Sequence, residues 1–118
     1  MPERPYEKLI AWQESFKLCL EIYTLTKKFP SEEKFGLVSQ MRRSAYSVPM
    51  NIAEGNGKRS GKEKAHFLET ALCSLEELHC QRRIALGLSY ITEGDFKKAD
   101  EHIHRVSYLI NKLRSSIL

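Results

Sequence analysis

Cysteine is too scarce and too scattered in this sequence to staple a fold. Cys19, Cys73 and Cys80 make an odd count, no two form a Cys-x-x-Cys pair, and free, mostly buried thiols are the expectation. No run approaches the roughly 18 consecutive apolar residues that a membrane-spanning helix needs. Met1-Pro2-Glu3-Arg4-Pro5 is polar where a signal peptide has its apolar stretch, so the expected location is cytoplasmic, with no membrane partner. Strand-like alternation is nearly absent. The glycines number six, and three of them fall between Gly55 and Gly61, which marks the clearest loop.

What is present is helical periodicity over almost the whole chain. At 118 residues and 42% hydrophobic, residues 1–118 make one domain with one core. A first helix is expected over Tyr6 to Lys28, with Leu9, Trp12, Phe16, Cys19, Leu20 and Tyr23 as its inward stripe. Phe29-Pro30 ends it, because a residue before proline is pushed out of the α region. A second helix follows from Gly36 to Gly55 on Leu37, Met41, Ala45, Val48 and Ile52, with a kink or break expected at Pro49. A third, Lys62 to Tyr90, carries Leu68, Ala71, Leu75, Leu78 and Ala85, with Arg82 at the same seam. That arginine suggests a partly solvated or inter-subunit contact. The fourth, Asp95 to Ser116, has the most regular stripe, from Phe96 and Ala99 through Ile103, Val106 and Ile110 to Leu113 and Ile117.

Each helix buries one face, so the helices must pack on one another, and short loops favour an antiparallel up-down-up-down four-helix bundle. Helices one and three carry more apolar residues than one seam uses: Ile10, Leu18, Ile22 and Leu25 on the first, Phe67, Leu72, Leu86 and Leu88 on the third. Surplus of this kind marks a self-association face or a well-covered core.

Catalytic and metal chemistry finds little footing. Glu76-x-x-His79 and Glu101-x-x-His104 have the spacing of a di-iron bundle site, with Glu14, Glu21 and Glu54 to complete it on paper. The periodicity turns Glu76, Glu101 and His104 outward, whereas metal ligands must converge. His66, Cys73 and Cys80 recur every seven residues, about 10.5 Å apart along a helix, too far to share one ion. The glycine loop lacks the P-loop pattern, since Asn56 and Glu63 stand where a glycine and a hydroxyl residue are required. No enzyme, cofactor or metal is expected.

Basic surface remains. The net charge is +4, and Arg42-Arg43, Lys58-Arg59 with Lys62 and Lys64, and Arg82-Arg83 form three clusters. Such cations track a phosphate backbone by displacing its counterions. The competing reading is a solvated face paired locally with Glu32, Glu69, Glu76 and Glu77.

The stretch from Phe35-Gly36-Leu37 through Arg42-Arg43-Ser44-Ala45-Tyr46-Ser47-Val48-Pro49-Met50-Asn51-Ile52-Ala53-Glu54-Gly55 resembles the signature of a bacterial four-helix-bundle family. Its founding members are encoded in intervening sequences of large-subunit ribosomal RNA genes, and it is often mislabelled a ribosomal protein. Leu9-Ile10-Ala11-Trp12-Gln13 and the segment Phe67 to Leu78 add to the likeness. The resemblance implies a ring-shaped homopentamer. By likeness to the accessory factor of diversity-generating retroelements, it also implies nucleic-acid binding through a basic surface. It brings no catalytic residues. Pro49, Asn51, Glu54 and Gly55 belong to the matched motif, and a structural role is favoured for them: Asn51 and Glu54 flank the proline-weakened turn, where side chains satisfy freed backbone groups. Arg42 is expected to pair with a carboxylate. The resulting expectation is a non-enzymatic homo-oligomeric adaptor for RNA or DNA, with a protein-interaction module as the alternative.

Overall fold

Helix signals written in the sequence set the boundaries of four helices: α1 (Ile10–Thr26), α2 (Leu37–Asn56), α3 (Gly61–Gly87) and α4 (Glu93–Ile117). The computed structural model describes residues 3–117, and no strand occurs among them. Met1 and Pro2 of the polar N-terminus lie outside the described residues, as does Leu118.

Each start has a local cause. Ser60 Oγ accepts from the Glu63 amide at 3.1 Å and donates to the Glu63 carboxylate at 3.2 Å, opening α3. Thr92 and Asp95 exchange side-chain and backbone hydrogen bonds at the start of α4, at 3.0 and 3.3 Å. Glu33 accepts from the Leu37 amide ahead of α2. The first helix starts later than its periodicity suggests. Pro5–Lys8 forms a separate 3-10 turn, held by the Arg4 amide on the Glu7 carboxylate at 2.7 Å, and extended backbone at Leu9 then breaks the chain direction. The third helix ends at Gly87 rather than Tyr90, where Ser89 takes a left-handed φ of 63°.

The core follows the expected stripes on α2, α3 and α4, with Met41, Val48, Ile52, Leu75, Leu78, Val106 and Ile110 essentially inaccessible. On α1 the expectation is corrected. Leu18, Ile22 and Leu25 are buried, whereas Phe16 and Leu20 are exposed and Trp12 and Tyr23 are half-buried. The helix has two apolar lines, and the inward one contains Ala11 and Ser15, both buried. Small residues let α1 approach its neighbours closely, and the bulkier line with Trp12 and Phe16 is left at the rim.

Pro49 is buried inside α2, which runs through it without a break. Two residues on, Asn51 Nδ2 donates to the Ser47 carbonyl at 2.8 Å and to Ser47 Oγ at 3.0 Å. Ser47 Oγ in turn shares a hydrogen bond of 2.8 Å with Ser74 of α3. Asn51 thus ties the proline turn to the next helix, while Glu54 stays exposed and makes no such link. Gly55 lies within α2 instead of opening the loop, and a Cβ there would sit 2.8 Å from Phe67 Cβ and 3.3 Å from the Lys64 carbonyl. Glycine at this position is a condition of α2–α3 contact.

Gly55→Ala should therefore destabilise the fold by roughly 1–3 kcal/mol, the cost of overpacking a tight contact. Urea unfolding would read this, and an unchanged midpoint would show that α2 and α3 yield easily.

Candidate nucleic-acid interface

The eight cations singled out by sequence separate into two groups once their surroundings are known. Three are built into the fold. Arg42 projects from α2 onto α1, where its Nε donates to Thr26 Oγ1 at 2.9 Å and Nη2 to the Tyr23 carbonyl at 3.3 Å. Its guanidinium lies 4.7 Å from the Tyr23 ring centre. The expected carboxylate partner is replaced by the last turn of α1, whose free carbonyls attract a cation. Lys64 Nζ donates to the Asn56 carbonyl at 3.0 Å and closes the end of α2 in the same way.

Arg82 is the clearest correction. It is 1% exposed, neither solvated nor placed for a second subunit. The guanidinium stacks on Phe96 at 3.7 Å, donates to the Phe96 carbonyl at 3.2 Å, and approaches Asp100 at 3.4 Å. His79 Nε2 lies 2.9 Å from Arg82 Nη2 and 3.2 Å from Asp100. A guanidinium only donates, so this contact requires His79 Nε2 to accept. Burial lowers the Arg82 pKa and Asp100 opposes that shift. A cation held this way ties α3 to α4 and is withdrawn from any phosphate.

The second group faces solvent. Arg43, Arg59, Lys62 and Arg83 are exposed, and none takes part in an ion pair among the described residues. Lys58 is half-buried with its ammonium 5.2 Å from the Phe67 ring centre. Lys58 and Arg59 thus lie on the short connection between α2 and α3 and Lys62 in the first turn of α3, with the Gly55 contact on one side and the Ser60 cap between them. Arg43 stands apart along α2, in a shallow groove lined also by Ser47, Ser74 and Glu77.

Sequence reasoning missed an ionic clasp between α1 and α4. Arg105 Nε donates to Glu14 at 2.9 Å, Lys17 reaches the same carboxylate at 3.1 Å, and His102 Nδ1 meets Glu21 at 2.6 Å. Glu14 and Glu21 are one heptad apart on one face of α1, a signal visible only with the orientation of α1 known. Elsewhere Lys28 pairs with Asp95 at 3.0 Å. The di-iron spacing does not assemble: Glu76, Glu101 and His104 are exposed, and no metal-binding cluster is found among the described residues.

Four helices around one core, with the tight α2–α3 contact and a basic connection, define an all-helical class. The particular family follows from its signature: residues 7–112 match the model for the 23S rRNA-intervening sequence protein, and the chain belongs to that family. Among solved structures it resembles a protein of unknown function from the S23 ribosomal protein family of Bacteroides thetaiotaomicron VPI-5482. That likeness has a TM-score of 0.83 at 21% identity, covering 90% of this chain and 96% of the other. No curated protein matches. The structural likeness carries the fold alone.

Two predictions follow from the ionic contacts. Arg82→Ala should cost about 2–5 kcal/mol, since it opens a cavity against Phe96, and Arg82→Met should cost clearly less by refilling the space. Equal losses in chemical denaturation would show that the charge, not the packing, is what α3 and α4 require. The second concerns acid. Arg105 above all, with Lys17, holds the Glu14 carboxyl below its ordinary 4.5, against burial. Lys28 first, then Thr92, holds Asp95 below 3.8. A depressed folded pKa gives stability that is full above the ordinary value and lost as pH falls through the lower folded one. Thermal stability should hold at pH 5 and fall below about 4.5, less steeply in Glu14→Gln. An identical acid slope in that variant would remove the clasp as a source of it.

Proposed function

We propose that the protein is a non-enzymatic, homo-oligomeric helical adaptor that binds RNA or DNA through the α2–α3 connection. Its helices run up-down-up-down and antiparallel, and the chain assembles as a ring-shaped homopentamer in the manner its family resemblance implies. The carrying observation is the concentration of Lys58, Arg59 and Lys62 within five residues, on the short connection and the first turn of α3 that follows it. Arg59 and Lys62 there are exposed and without ion pairs among the described residues. Repetition of that connection around a ring sums modest contacts into a useful affinity, because each further contact is made at high effective concentration. The mode of recognition is electrostatic and backbone-directed: cations displace condensed counterions, and no base is read. Arg43 and Arg83 extend the basic surface along the helices.

Binding of a labelled structured RNA and a DNA control across a salt series tests this. Affinity should fall by about a thousandfold between 50 and 200 mM salt if several phosphates are engaged. Lys58→Glu/Arg59→Glu/Lys62→Glu should abolish binding with an unchanged circular dichroism spectrum. Binding that is absent at low salt, or that survives the triple charge reversal, overturns the assignment and leaves a protein-interaction module as the reading.

A further inference from the structure

The rim of α1 rejected by the core has a counterpart on α2. Phe16 is 43% and Leu20 52% exposed on α1; Tyr46 is 41% and Met50 62% exposed on α2. Arg42 on Tyr23 anchors the two helices, and in the antiparallel arrangement proposed above a turn back along α1 matches a turn forward along α2. Leu20 then comes level with Tyr46, and Phe16 with Met50. Trp12 stacks on Phe16 at 5.2 Å and 13°, stiffening one edge. Four large apolar side chains are thus exposed on two adjacent helices, the composition of an interface centre rather than of ordinary surface.

Charge identifies what covers it. From Leu37 to Ala53 the chain has no Asp or Glu, only Arg42 and Arg43. On α1 the one exposed charge is Lys17, which also reaches Glu14, and Lys27 follows just past the helix end, while Glu14 and Glu21 are half-buried and turned to Arg105 and His102 of α4. The patch therefore has a cationic rim. The opposite pattern stands on α3. From Ala65 to Gln81 there is no Lys or Arg, and Glu69, Glu76 and Glu77 are exposed beside the exposed thiols of Cys73 and Cys80. Ile84 and Leu88 continue that outer face with exposed apolar side chains.

We infer that the apolar α1–α2 face of one copy receives the acidic outer face of α3 from a second copy. The two surfaces differ, so the contact is head-to-tail and leaves each copy with one free face of each kind until a ring closes. Carboxylates of α3 meet Lys17 and Lys27, while Cys73, Cys80 and Ile84 cover Phe16, Leu20, Tyr46 and Met50. This rests on the homo-oligomer reading and assigns its faces; it does not depend on nucleic-acid binding.

Light scattering after size exclusion, with thiol labelling of the same samples, tests the pairing. The wild-type chain should be oligomeric. Leu20→Glu/Met50→Glu should give a folded monomer, in which Cys73 and Cys80 label at least about tenfold faster because their access is restored. Lys17→Glu/Lys27→Glu and Glu69→Lys/Glu76→Lys should each weaken assembly, and one chain carrying both swaps should recover it. A monomeric wild type at high concentration overturns the pairing together with the oligomer reading. An oligomer that keeps its mass and thiol reactivity in the apolar double variant overturns the pairing alone, as does failure of the combined swap to restore mass.

Discussion

The close contact of α2 with α3 is the constraint from which the other features of this molecule follow. It exists because Gly55 has no side chain where Phe67 and the Lys64 carbonyl crowd in, and because Ser47 and Ser74 meet through a single hydrogen bond. Residues of this size let two backbones come together, and a close pair of helices leaves little room for a long connection. The chain therefore turns within 57–60, and its polar residues are held between a packed helix end and a capped helix start. A flexible loop of the same composition would spread its cations over many geometries. Here the ordering cost is met during folding.

The same economy governs the cations inside the fold. Arg42, Lys64 and Arg82 each bond a backbone carbonyl on a neighbouring segment. Two of them close helix ends, where unpaired carbonyls carry partial negative charge. Arg82 is costlier, since a buried guanidinium must recover its hydration energy from Phe96, His79 and Asp100. The three have a structural use that charge counting does not reveal. Net charge of +4 therefore overstates the basic surface available to a partner, and the cations left over are concentrated at a single turn and along two helix faces.

Helix number and the stripes of α2 and α4 were legible in the sequence because each has one apolar line, and a single line has only one way to face a core; the α3 stripe was legible despite the surplus Phe67, Leu72, Leu86 and Leu88, which stay half-buried or exposed. The α1 stripe was not, because that helix has two. Periodicity weighs Trp12 and Phe16 above Ala11 and Ser15, while packing prefers the line that lets helices approach. Arg82 was legible as a seam residue, but its environment was not, since Phe96 and Asp100 lie on another helix and no local pattern links them. The ionic clasp of Glu14, Glu21, His102 and Arg105 stayed hidden for the same reason. Pro49 shows the reverse. A strong local signal for a break was overridden by burial and by the Asn51–Ser47–Ser74 hydrogen bonds, which hold the helix on both sides of the proline.

The misread stripe on α1 carries information of its own. A helix with two apolar lines can satisfy only one of them inside its own chain, and a sequence under no further demand would make the second line polar at little cost to stability. Here the second line keeps Trp12, Phe16 and Leu20, and the neighbouring α2 exposes Tyr46 and Met50. On α3 the outward face is free of lysine and arginine over seventeen residues although the chain as a whole is basic. Segregation of apolar and cationic residues to one side and of carboxylates to another does little for a monomer, which gains from interspersed charge. It is what two unlike, mutually complementary faces require. The features that made α1 hard to read from periodicity are therefore the ones that give the surface a direction.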